Sequence, residues 1–92
     1  MRISRENYET LRDIQRFDKR IEGMHQDFYK YYNGIVKRLP PWENLERELL
    51  IYSRKRLYDI QLSSDLDRVL YKFQNRKKIW FKWVDEYQHK LS

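Results

Sequence analysis

The chain is poor in residues that break helices or build reactive centres. Its 92 residues include no cysteine, two glycines and two prolines. The lack of cysteine excludes disulfides and thiolate sites. Gly23 and Gly34 lie too far apart for a glycine-rich phosphate loop. The prolines adjoin at Pro40 and Pro41, so a single point in the chain carries a strong stop for a helix.

Long apolar runs are also missing. No run approaches the roughly 18 residues of a membrane span, and the first residues lack the apolar core of a signal peptide. Together with the lack of cysteine, these features predict a soluble intracellular protein without a transmembrane segment.

The sequence contains no recognisable catalytic or metal-binding pattern. His25 and His89 are its two histidines, and the carboxylate at ligand spacing is Asp85, four residues before His89. The serines have no neighbouring base and no nucleophile-elbow context. We therefore expect no enzymatic activity, no metal, no cofactor and no small-molecule ligand.

What the chain does contain is two long apolar patterns in which spacings of three and four residues alternate. This alternation is typical of helices that pack lengthwise against each other. The first pattern consists of Ile14, Phe17, Ile21, Met24, Phe28, Tyr31 and Ile35, and the second of Leu66, Leu70, Phe73, Lys77, Trp80, Val84, Tyr87 and Leu91. Phe28 and Trp80 occupy central positions and are predicted to lie at the centre of the core. Lys77 is expected to snorkel or to pair with an acid on a neighbouring helix.

Helix start and stop signals divide the chain into three helices within a single domain. We predict helix 1 over about 4–38, capped by Ser4, helix 2 over about 41–62, and helix 3 over about 64–91, with a capping box at Ser64. Asn33-Gly34 leaves an alternative open, in which helix 1 ends there in a left-handed turn. Short connections make consecutive helices antiparallel. The predicted fold is all-α: an antiparallel three-helix bundle with a long first helix and coiled-coil-like packing.

Helix 3 carries a second stripe outside its apolar pattern. At 100° per residue, its members fall on one side of the helix. They are Arg68, Lys72, Arg76, Ile79 and Trp83. Cations beside an aromatic residue suit nucleic acid, and they equally suit an acidic protein surface. In the alternative interpretation, Trp83 packs on helix 2 and the cations are simply solvated.

Helix 2 is apolar on two sides. We predict that one side, formed by Trp42, Leu45, Leu49, Leu50, Leu57 and Ile60, faces the core. The opposite side carries Ile51, Tyr58 and Leu62, flanked by Arg47, Arg54 and Lys55. A helix that is apolar on both sides contacts something on both sides, which predicts a homodimer or a partner contact there. The alternative is that this second side is part of the core.

These patterns predict a non-catalytic module for protein–protein interaction, or a small subunit of a larger assembly, that docks through helix faces. A protein partner or a homodimer is expected. The alternative is a nucleic-acid-binding protein, either a regulator or a ribonucleoprotein subunit, that uses the basic-aromatic stripe of helix 3. The net charge of +6 is compatible with both.

Overall fold

Three helices account for most of residues 4–91, which are the part of the chain that the computed structural model describes. They are α1 (Arg5–Tyr32), α2 (Trp42–Ser53) and α3 (Ile60–Leu91). Side-chain pairs between α1 and α3 keep a constant separation of 54 residues, as in Asp18–Lys72 and Glu22–Arg76. The two helices therefore run parallel, and α2 runs antiparallel between them. This arrangement confirms the predicted all-α three-helix bundle.

The core follows the two apolar patterns. Phe28 and Trp80 are both fully buried, and their rings stack with centroids 4.8 Å apart and planes 6° from parallel. Their predicted central place is thus confirmed. The other buried apolar side chains are Ile14, Phe17, Ile21, Tyr31, Leu45, Leu49, Leu62, Leu66, Val69 and Phe73. Ile35 and Leu91, at the far ends of the two patterns, are exposed.

Helix α1 ends at Tyr32, so the prediction that it continues to residue 38 is wrong. Gly34 adopts a left-handed conformation with φ 74°, and its N–H bonds to the carbonyl of Tyr31 at 3.0 Å. The N–H of Ile35 bonds to the carbonyl of Lys30 at 2.9 Å. These two bonds form a Schellman motif, which satisfies the last carbonyls of the helix. The alternative end at Asn33-Gly34 is the one that the chain adopts.

The boundary between α2 and α3 also differs from the prediction. Helix α2 ends at Ser53 rather than near residue 62, and α3 begins at Ile60 rather than at residue 64. The early start of α3 has a physical reason in Asp59, whose Oδ1 accepts a hydrogen bond from the N–H of Leu62 at 2.9 Å. A side-chain acceptor at this place caps the first turn of α3, so Ser64 lies inside the helix.

This shift changes which residues are buried. Leu62, expected on the outer side of helix 2, lies in the core of α3 with 6% of its surface exposed. Ile60, expected to face the core, is exposed, and so is Leu50. Tyr58 lies in the connection before α3 and not on a helix.

The early start of α3 also covers the beginning of α1. Asn7 approaches Asp59 at 3.5 Å, and Ile14 is buried. The described residues form a rod of 56 × 18 × 18 Å in which the 12-residue α2 covers only the middle.

Candidate docking surfaces

The cations of the predicted helix 3 stripe bind acids of α1. Lys72 Nζ contacts Asp18 Oδ1 at 2.8 Å and Glu22 Oε1 at 2.6 Å, and Arg76 contacts Glu22 at 3.0 Å. The hydrogen bond from Lys72 lowers the pKa of Glu22. Burial alone would lower the pKa of Lys72, but its hydrogen bonds to Asp18 and Glu22 raise it. The prediction that Lys72 and Arg76 face away from the bundle is therefore wrong, because α1 and α3 are parallel and bring these groups together.

The two ends of the stripe are more open. Arg68 is exposed and pairs with Asp65 one turn earlier on the same helix, at 3.5 Å. Ile79 is exposed as well. An ion pair of this exposed kind is worth at most about 1 kcal/mol, so Arg68 remains accessible to a partner.

Trp83 lies within a cluster of α1 rings. Its ring stacks on Tyr32 with centroids 5.6 Å apart, and His25 lies 5.1 Å away. Tyr29 meets it edge-on at 6.0 Å. Tyr32 is held in turn by a hydrogen bond from its hydroxyl to Glu86 at 2.9 Å. Trp83 thus packs on α1 and not on helix 2, and its ring is engaged within the chain.

His25 makes a contact that was not predicted from the sequence. The indole N–H of the buried Trp80 donates to His25 Nδ1 at 3.0 Å. Burial is the main cause that lowers the pKa of His25, Arg76 adds to it, and Glu22 opposes it. The available signal was spacing: His25 follows Ile21 by four residues and precedes Phe28 by three, so it adjoins the core side of its helix.

The outward side of α2 and its C-cap residue carry four side chains spaced i, i+3, i+4 and i+7. We call them the outer α2 stripe: Arg47, Leu50, Ile51 and the C-cap Arg54. All four are exposed, and 61% of the surface of Ile51 is accessible. The prediction for Ile51 and Arg54 is confirmed in this respect. Leu50, expected to face the core, belongs here because it is exposed, whereas its neighbour Leu49 is buried.

The connection that follows extends this apolar surface. Tyr58 and Ile60 are exposed over 88% and 86% of their surface. Lys55 is exposed, with its Nζ 5.3 Å from the centre of the Tyr52 ring. Leu62 does not contribute, because it is buried in α3.

Two acids of α2 bind the neighbouring helices. Glu46 contacts Lys77 of α3 at 2.6 Å, and Glu48 contacts Arg20 of α1. The hydrogen bond from Arg20 lowers the pKa of Glu48. The predicted pairing of Lys77 with a neighbouring acid is confirmed. These two pairs place negative charge of α2 on the side that faces the bundle. Arg47 and Arg54 of the outer α2 stripe have no ion pair to an acid among residues 4–91.

A groove of about 620 Å³ lies between α1 and α3. Leu11, Ile14 and Val69 form its apolar part. Its rim contains Asp18 and Lys72, which pair with each other, and Asp65 and Arg68, which do the same. Lys19 also lines the groove and has no ion pair to an acid among residues 4–91, so a single cation there is not neutralised.

The described part of the chain contains no cluster of metal ligands. Between residues 4 and 91, no three His, Cys, Asp or Glu side chains lie close enough together to hold a metal ion. None of the helices described combines the length and the apolar character that crossing a membrane requires.

Comparisons of this chain with protein-family models, with curated proteins and with solved structures found no match.

Proposed function

We propose that this chain is a non-catalytic helical interaction module that docks a protein partner through the outer α2 stripe and the adjoining Tyr58 and Ile60. The observation that carries the proposal is the two-sided character of α2. Leu45 and Leu49 are buried on one side, while Leu50 and Ile51 are exposed on the other. Helices at a solvent boundary carry polar residues on the outer side, and α2 departs from this rule in its last turn.

The spacing of the exposed side chains supports a helical contact. Residues at i, i+3, i+4 and i+7 form a continuous ridge along one side of a helix, which is the surface used when helices pack or dock in grooves. Burial of Leu50 and Ile51 by a partner would stabilise the complex at ~25 cal/mol for each Å² of apolar surface removed from water.

The nucleic-acid alternative has less support than the docking proposal. Lys72 and Arg76 are neutralised by Asp18 and Glu22, and Trp83 packs against α1 rings. Phosphate contacts need cations that can release counterions, and base stacking needs an accessible ring face. We therefore keep nucleic acid as an outcome of the test and not as a second proposal.

Photo-cross-linking in the cell of origin tests the docking surface. A photoreactive residue at Ile51 is expected to capture a partner of defined mass, and the same residue at Ile79 of α3 is the matched control. Both positions are exposed and aliphatic, but only Ile51 lies on the outer α2 stripe. The cross-link should disappear when Tyr58→Glu is added. If only the photoreactive residue at Ile79 captured a partner, the proposal would be contradicted and the docking site would lie on α3.

A further inference from the structure

We infer that the partner presents an acidic amphipathic helix, with apolar side chains against Leu50 and Ile51 and carboxylates one turn away on either side, against Arg47 and Arg54. This inference rests on the proposed docking function and names the chemistry of the partner. It depends on how the ion pairs of the bundle distribute charge.

The ion pairs leave positive charge concentrated around the outer α2 stripe. Residues 47–56 contain four cations, which are Arg47, Arg54, Lys55 and Arg56, and one acid, Glu48. Glu48 is occupied by Arg20, so it does not neutralise these cations. By contrast, Lys72 and Arg76 on α3 are neutralised by acids of α1. The end of α2 therefore carries a local excess of positive charge.

The order of charges along the stripe argues against a second copy of the chain as the partner. Leu50 and Ile51 form the centre of the stripe, with Arg47 three residues before Leu50 and Arg54 three residues after Ile51. In an antiparallel pairing about this centre, Arg47 meets Arg54 of the other copy. In a parallel pairing, each arginine meets itself. A symmetric dimer uses the same patch on both copies, so both arrangements place like charges together.

Glu43 does not change this conclusion. It is exposed and lies one turn before Arg47 on the same side of α2. In the antiparallel pairing it falls opposite the region of Tyr58, which carries no charge. In the pairing centred on Leu50 and Ile51, neither arginine of the outer α2 stripe therefore gains a carboxylate partner from the second copy.

The apolar centre of the outer α2 stripe favours an acidic protein over a nucleic acid or an anionic membrane. Leu50 and Ile51 are aliphatic, and their burial needs an apolar counterpart. The exposed ring on which a base could stack, Tyr58, lies outside the stripe, in the connection to α3. A membrane surface would bury a wide apolar face, whereas here the two apolar side chains lie between two arginines and Glu43 is in line with them. The pattern matches a helix whose apolar residues are flanked by acids.

Fluorescence anisotropy with defined probes tests the inference. The first probe is a synthetic helical peptide with a leucine stripe flanked by glutamates, and the second has lysine in place of each glutamate. The third probe is a vesicle of phosphatidylcholine with phosphatidylserine, and the fourth is a thymidine oligonucleotide. At low salt we expect the acidic peptide to bind about tenfold more tightly than the basic one, since two exposed ion pairs replace two repulsions. High salt should reduce this preference.

Two variants separate this inference from the proposed function. Arg47→Glu together with Arg54→Glu should reverse the preference to the basic peptide, and Ile51→Glu should weaken both peptides. Circular dichroism should show unchanged helicity, because these side chains are exposed. Binding that needs Ile51 but ignores the sign of the peptide charge would overturn the inference and leave the docking function standing. Tighter binding to vesicles or oligonucleotide would overturn the inference, and peptide binding that does not need Ile51 would overturn the docking function as well.

Discussion

At the scale of single residues, His25 connects the core to the ion pairs between α1 and α3. Its Nδ1 accepts the hydrogen bond of the buried Trp80 indole, and its ring adjoins Trp83. The charged groups that act on it are Arg76, Glu22 and Lys72. A protonated imidazole has no acceptor, so protonation of His25 would leave the Trp80 N–H without a partner in the core.

The stability of the protein should therefore fall as the pH drops below neutrality. Burial lowers the pKa of His25 from its usual 6.5, so the unfolded chain binds the proton more readily than the folded one. The stabilisation is complete above about pH 6.5 and is lost as the pH falls through the lowered pKa of the folded state. Urea unfolding between pH 7 and pH 5 measures this loss. That range lies above the pKa of Glu22, which is lowered from 4.5.

Two single variants identify the responsible histidine. Gln can accept the indole hydrogen bond without titrating, so His25→Gln should flatten the pH dependence in that range. His89→Gln, at an exposed position of α3, is the matched control for the loss of one imidazole. Equal pH dependence in the wild type and His25→Gln would show that another group is responsible.

The residues of the core were easier to predict than His25 for a physical reason. Phe28 and Trp80 belong to long periodic patterns, so many neighbouring residues point to the same side of the helix. A single polar residue gives no such redundancy. Whether His25 faces water or an indole depends on the residue that lies opposite, which is 55 positions away in the sequence.

At the scale of helices, the two glycines have opposite roles. Gly34 ends α1 in a left-handed conformation, whereas Gly23 lies in the middle of α1 on an exposed side. A Cβ added at Gly23 would meet no atom of another element within 4 Å. Gly34 fits a conformation that other residues avoid, whereas Gly23 only lowers the helix propensity of α1.

Alanine substitutions should consequently change stability in opposite directions. Gly34→Ala is expected to lower the free energy of unfolding by ~1–2 kcal/mol, because a Cβ disfavours the left-handed conformation. Gly23→Ala should raise it by up to ~1 kcal/mol through better helix propensity. Chemical denaturation of the two variants beside the wild type checks both. A stabilising Gly34→Ala would mean that α1 tolerates a different end.

The ends of the helices show where sequence reasoning stops. Asn33-Gly34 offered a visible end for α1, yet the apolar pattern continued to Ile35 and favoured a longer helix. Between α2 and α3 the chain has no glycine or proline, and Leu57 and Ile60 continue the helical spacing of the predicted inward side. Asp59 decides the boundary through one side-chain hydrogen bond, and the sequence alone does not distinguish it from other exposed aspartates.

The same displaced boundary explains the mixed outcome for the candidate surfaces. Ile51 lies in α2, Arg54 and Lys55 directly follow the helix, and all three keep their predicted exposure. Leu62 lies in α3 and joins the core. For Lys72 and Arg76, the missing information was which helix lies beside them. A wheel projection gives the side of the helix on which a residue lies, but the neighbour on that side comes from tertiary packing.

At the scale of the whole molecule, the charges of the outer α2 stripe should control self-association. We expect the purified protein to be a monomer of 11.8 kDa at low salt, since pairing of two stripes places arginines together. High salt screens this repulsion and should promote association through Leu50 and Ile51. Light scattering after size exclusion, at several protein concentrations, measures both states. Arg47→Glu should increase association at low salt, because it places a glutamate opposite Arg54 of the other copy in the antiparallel pairing. A stable wild-type dimer at low salt would contradict the expectation.

The parallel alignment of α1 and α3 has a consequence for how the chain is made. On the ribosome, each position of α1 is synthesised 54 residues before its partner on α3. At ~5–20 residues per second, the interval is about 3–11 s. During this time Ile21 and Phe28 have no α3 to pack against, so the nascent chain exposes an apolar surface that chaperones recognise. The bundle can therefore close only after α3 has been synthesised, and not when α1 emerges.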